Sequence, residues 1–183
     1  AEEAERKLFA LKADLPTWVE AHYWYAVAAE AAGKGELARE AMRTVTSLRP
    51  VDADNRAREY LVAAAHKYLA VALLDQFPKQ ACDDAVALYE ACPDDPQALL
   101  LFVEAARKTQ QSDLARKTLQ DALERNAAKP VLVMAISDIY LALDDYPKAI
   151  ETAQRAIALK PATSAERLAV AQGLIRTDRG FEA

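Results

Sequence analysis

The chain has 183 residues, 52% of them hydrophobic, with four glycines, eight prolines and a formal net charge of −5. That length suffices to bury a core, the scarcity of glycine excludes a β-rich or loop-rich protein, and long Ala/Leu/Glu/Lys/Arg stretches favour helix. Acidic and basic residues are interspersed without a Lys/Arg stripe, which argues against nucleic-acid binding driven by phosphate neutralisation.

Six alanines keep a regular interval. Ala4, Ala38, Ala81, Ala115, Ala149 and Ala183 are separated by 34, 43, 34, 34 and 34 residues. Pro16, Pro50, Pro93 and Pro161 each follow one of them by twelve; after Ala115 that place falls to Ala127, with Pro130 just beyond. A period of this size is the signature of stacked helix–turn–helix repeats. It divides the chain into repeats at 17–50, 51–95, 96–129 and 130–163, a half repeat at 1–16 and a truncated one at 164–183. The expected fold is all-α, a right-handed superhelical solenoid of antiparallel helix pairs.

In chain order, Ala1 to Leu15 reads as the second helix of a preceding unit, with Ala4, Leu8 and Leu11 inward. Val19 to Pro50 is the next unit. Tyr25 and Ala29 precede a Gly33-Lys34-Gly35 turn, then Ala38, Met42 and Val45 form the inner stripe of the second helix. Trp18 staples the start of the first helix. Within His22-Tyr23-Trp24-Tyr25, Tyr25 reads as core and Trp24 as packing, because four consecutive helical residues point all round the axis.

The unit 51–95 carries nine extra residues, around Asp52 to Leu61. Asp54 or Asn55 suits a helix N-cap, and one overlong helix is expected to run to about Gln76, ahead of Phe77-Pro78. A separate short helix on the edge is the alternative. Cys82 and Cys92, ten apart on one predicted helix, lie about 15 Å apart, too far for a disulfide.

In the unit 96–129 Leu99, Phe102 and Ala106 share one face, followed by Ala115, Leu119 and Ala122 on the next helix. The unit 130–163 is the clearest. Val133, Ile136 and Tyr140 precede the turn Asp144-Asp145-Tyr146-Pro147, and Ala149, Ala153 and Ala156 give a stripe of small residues on the second helix. Ser164 to Thr177 reads as a further first helix, which makes the chain a section of a longer array whose exposed ends are able to pair.

Ile139-Tyr140, Tyr146-Pro147-Lys148-Ala149-Ile150 and Ala156-Ile157-Ala158-Leu159-Lys160-Pro161 resemble a tetratricopeptide repeat, and a looser version of that pattern covers the remaining chain. The resemblance implies a protein-interaction scaffold in which first helices line a concave groove. Counting back fifteen residues from each anchor alanine gives one groove column: Tyr23, His66, Leu100, Met134 and Leu168. Counting back eleven gives Val27, Ala70, Glu104, Asp138 and Gln172, with Glu30, Arg107, Lys108 and Arg176 a turn along. Apolar anchors with an acidic margin suit an amphipathic helix or extended segment of another protein; packing between neighbouring first helices is the competing role.

Family members that hold acidic chaperone tails use a cationic clamp. Its positions here are Tyr23, Val27, Lys67, Gln97 and Leu101, or one unit on His66, Ala70, Leu101, Val131 and Ala135. Neither frame supplies the charge.

No catalytic or cofactor-binding motif accompanies the repeats. His22 and His66 lie in different units without a second ligand at helical spacing, so no metal site is expected. Phosphate loops and nucleophile elbows are absent. Asp83-Asp84, Asp94-Asp95 and Asp144-Asp145 read as helix caps rather than general acids or bases. The longest apolar stretch, Tyr60 to Phe77, is interrupted by His66 and Lys67 and is shorter than the roughly 20 residues of a membrane span.

The function this implies is binding a peptide or helix of a partner within a multi-protein assembly, without enzymatic activity or cofactor. A rigid spacer is the alternative. The Ala-rich repeats resemble bacterial ones, which extends the possibilities to a periplasmic scaffold of exopolysaccharide secretion; periplasm and cytoplasm both stay open.

Overall fold

The computed structural model describes residues 2–48 and 56–159, with side chains from residue 59 onward in the second stretch. Nine α-helices and no strand occur among the described residues. They are α1 (Glu2–Asp14), α2 (Val19–Ala31), α3 (Gly35–Ser47), α4 (Arg56–Leu73), α5 (Pro78–Ala91), α6 (Pro96–Lys108), α7 (Ser112–Arg125), α8 (Pro130–Ala142) and α9 (Tyr146–Leu159). The expected truncated repeat from Ser164, with Leu168, Gln172 and Arg176, lies outside the described residues, as does the start of the inserted segment, 49–55.

Proline starts three of these helices. Pro78, Pro96 and Pro130 each occupy a first helical position, where the missing N–H costs nothing and φ is already set. Two of the acidic pairs do cap: an Asp95 carboxylate oxygen accepts the Gln97 N–H at 2.9 Å, and Asp145 accepts that of Lys148 at 3.4 Å. Asp83 and Asp84 correct the expectation. They stand well inside α5, where no free backbone N–H awaits a cap, and Asp84 instead faces His66 across the hairpin.

Two compact units divide the chain, residues 1–92 with 104–110, and residues 93–103 with 111–183; α6 contributes to both. In the first unit α2 packs on α3, α4 on α5, and the pairs meet through α3–α4 and α2–α4 contacts, while α1 lies against α2. Its core joins Val19, Tyr25, Met42 and Val45 to Leu69 and Leu73, with Ala29, Ala38 and Ala81 where helices cross closely. Burying each of the two leucines contributes about 2 kcal/mol. In the second unit α8 packs on α9, and Ser137, buried in α8, donates a 2.7 Å hydrogen bond to the Ala149 carbonyl of α9.

Each anchor alanine of a second helix stands at its fourth position, and Ala38, Ala81, Ala115 and Ala149 are all buried. Ala4 is not. It is exposed on α1. Cys82 is buried and Cys92 half-buried at the end of α5, both as free thiols.

The α4–α5 hairpin closes differently from two others, and this changes which residues correspond along its first helix. The Lys34 N–H reaches back five residues to the Ala29 carbonyl at 2.9 Å, and Asp145 reaches back five to Tyr140 at 3.0 Å. Between α4 and α5 the equivalent closure is Phe77 to Leu73, four residues, at 2.7 Å. Leu73 therefore occupies the place of Ala29 and Tyr140. The expected overlong helix runs to Leu73, not to Gln76; with 18 residues it still exceeds the 13 of α2, α6 and α8.

Candidate interaction surface

Burial on α2 leaves one strip uncovered. Val19, Ala21, His22, Tyr25, Ala26, Ala28 and Ala29 are buried, which uses most of the helix circumference. Glu20, Tyr23, Trp24, Val27 and Glu30 remain, at spacings of three and four that place them on successive turns of one side. Trp24 is 53% exposed and Val27 39%. This corrects the expectation that Trp24 packs internally: its ring meets Tyr23 edge-on at 5.3 Å and 84°, and half of its surface faces water.

On α4 the strip differs from the one obtained by counting back from Ala81. Ala70 is 1% exposed, and His66 is half-buried with Nδ1 2.8 Å from Asp84 Oδ1 of its own hairpin. Aligning Leu73 with Ala29 puts Lys67 and Val71 where Tyr23 and Val27 stand on α2, and both are exposed, Val71 by 57%. A shift of one residue turns a helix by about 100°, enough to exchange an inward side chain for an outward one. The α2 and α4 strips belong to neighbouring helices, which Tyr68 bridges by donating its hydroxyl hydrogen bond to Glu30 Oε2 at 2.5 Å. Burial, then this bond and the Glu30 charge, push the Tyr68 phenol up to about 12.

Of the remaining predicted residues, Glu104 is half-buried in the α6 portion of the first unit. In the second unit Leu100 on α6 and Met134 on α8 are half-buried, while Asp138, one turn beyond Met134, is exposed. Desolvation by the surrounding helices raises the Asp138 carboxyl above its ordinary value. Val131, at the start of α8, is exposed on the same spacing. Sequence reasoning missed Trp24, Lys67 and Val71. The first was legible from its three-residue spacing to Val27; the other two required the hairpin closure.

A polar cleft of about 330 Å³ in the second unit is lined by Gln120, Glu124, Lys148, Glu151 and Arg155 above Tyr140. Among the described residues no group of three potential ligands is placed to hold a metal ion, and no helix is long and apolar enough to cross a membrane.

Residues 100–163 match the sequence pattern of the tetratricopeptide repeat family. Over that stretch the chain carries the tetratricopeptide repeat pattern. Two solved structures support the fold over most of its length. MamA residues 41 to the end from Desulfovibrio magneticus RS-1 superpose with a TM-score of 0.54 at 21% identity, covering 86% of this chain and 84% of that one. TTC0263, a thermophilic repeat protein of Thermus thermophilus, gives 0.52 at 19%, covering 93% and 89%. No curated protein gives a significant sequence match. Tetratricopeptide repeats in general mediate protein–protein interaction, which is the coarse function of this fold.

Proposed function

We propose that the protein binds a peptide or helix of a partner along the exposed strips of its first helices, as part of a larger assembly. The observation that carries this is the α2 strip: Tyr23, Trp24 and Val27 offer aromatic and aliphatic surface to water on a helix whose other large apolar side chains, Val19 and Tyr25, are buried. Aromatic anchors beside charged margins are the usual energetic centres of peptide recognition. Val27 and Tyr23 on α2, Lys67 and Val71 on α4, Glu104 and Leu100 on α6, and Met134 and Asp138 on α8 are the residues proposed to contact the partner. Lys67 takes the place of His66, whose ring is engaged by Asp84. A bacterial cell-envelope assembly, such as the periplasmic scaffold of exopolysaccharide secretion, belongs to this proposal through sequence resemblance.

Affinity capture with the wild type and a Trp24→Ser/Val71→Ser variant tests the reading. Both side chains are exposed, so the melting temperature is expected to change little while partner capture falls about ten-fold, the equivalent of roughly 1.4 kcal/mol. Tyr23→Ala with Met134→Ala weakens capture as well, at some cost in stability because both are half-buried. Unchanged capture by a folded Trp24→Ser/Val71→Ser variant favours the rigid spacer and removes the groove from consideration.

A further inference from the structure

We infer that the partner segment is basic and amphipathic, with lysine or arginine side chains interleaved among apolar ones; this deepens the interaction reading proposed above and rests on it. Each unit carries the same pairing independently. On α2, Trp24 and Val27 are flanked one turn to either side by Glu20 and Glu30. On α8, Val131 and Met134 lead into Asp138. Apolar surface edged by carboxylate thus occurs on a first helix of each unit. Lys67 and Arg107 stand against it, while Lys108 is tied to Asp75 by an ion pair.

Two features select a cation over other occupants. Among the described residues Asp138 has no ion-pair partner, yet its carboxyl is already partly desolvated; a cation placed there gains more than one beside a fully hydrated carboxylate. The Trp24 ring, edge-paired to Tyr23 and open to water, is the best of the aromatic faces for a lysine or arginine. An acidic segment meets like charges at the α2 and α8 strips.

Trp18→Phe leaves Trp24 as the sole tryptophan, since the chain has two. This protein is titrated at low and high salt with two short synthetic helices of one pattern, leucine–lysine and leucine–glutamate, while tryptophan emission is followed. The lysine helix is expected to shift Trp24 emission and to bind at least about ten-fold tighter at low salt. Glu30→Gln with Asp138→Asn is expected to weaken it several-fold; Glu90→Gln with Asp121→Asn, the same charge change on α5 and α7, is not. If Trp18→Phe does not fold, the wild type read against Trp24→Phe gives the same signal by difference.

Equal or tighter binding of the glutamate helix overturns the basic partner and leaves the interaction reading standing. Equal weakening by the two double variants reduces the effect to net charge and also overturns it. A Trp24 signal that follows protein concentration without peptide puts a second copy on the strip, with the same consequence. Silence of Trp24 toward both helices, with partner capture unaffected by Trp24→Ser, removes both readings.

Discussion

Gln110 holds the left-handed backbone conformation that Gly33 holds at the same point of another hairpin turn, with φ of 62° and 75°. Asp144, at 58°, is the third example. All three stand just beyond a first helix, where the chain must reverse before the second begins. Glycine takes this conformation freely; a side chain is crowded by its own carbonyl. Gln110→Gly is therefore expected to stabilise the protein by about 0.5–1 kcal/mol, measured as a higher denaturation midpoint at unchanged slope. Nothing lies within 4 Å of a Cβ built on Gly33, so Gly33→Ala loses a similar amount through backbone strain alone.

The anchor alanines make a paired test of the repeat register. Ala149→Leu forces a larger side chain into the closed α8–α9 contact and is expected to cost about 1–3 kcal/mol. The same substitution at Ala4, which is exposed, is expected to change stability by less than about 0.5 kcal/mol. Similar losses at both positions in chemical denaturation contradict the different burial of the two alanines.

Tyr68 gives the first unit an alkaline limit. Its phenol titrates at an ordinary 10.0 in the unfolded chain and at about 12 in the folded one, so the folded state prefers the neutral form. The stabilisation is complete below pH 10 and is lost as pH rises through 12. Tyr68→Phe is expected to be less stable at neutral pH by about 1 kcal/mol and to lose less of its remaining stability between those limits. Parallel losses in both proteins, followed by circular dichroism, would show that the Glu30 contact has no part in it.

His66 and Asp84 connect α4 to α5 through a contact whose side chains are 18% and 17% exposed. Asp84→Ala leaves the imidazole without its partner and is expected to cost about 1–2 kcal/mol. His66→Ala is expected to lower the melting temperature while leaving partner capture intact, in contrast to Val71→Ser. Loss of capture at equal stability in the His66 variant restores His66 to the binding strip.

Much of this was legible in the sequence because the repeat period and the helical period are both local signals. The anchor alanines at 38, 81, 115 and 149 occupy equivalent buried places, and Tyr25, Met42 and Val45 lie in the core as their spacing requires. What escaped depended on a closure of four residues where two other hairpins have five. Between Ala38 and Ala81 the count shows only a surplus, and nothing in it reveals that Leu73, eight residues before Ala81, takes the place that Ala29 and Tyr140 hold nine before their own anchors. His66 and Ala70 were drawn into the groove columns by that arithmetic. Trp24 escaped for another reason: large aromatic side chains are commonly packed, and only the seven other buried residues of α2 show that no interior was left for it.

The contracted closure from Leu73 to Phe77 also limits how this protein can be rebuilt. A chimera joined inside that turn, with α4 replaced by the first helix of a sister repeat, would inherit a four-residue closure in place of the five its new tenant is matched to, and rotate the incoming side chains away from their intended neighbours. Cuts made ahead of α4 keep each helix with the linker that matches it, so hairpins here are modules only when exchanged whole.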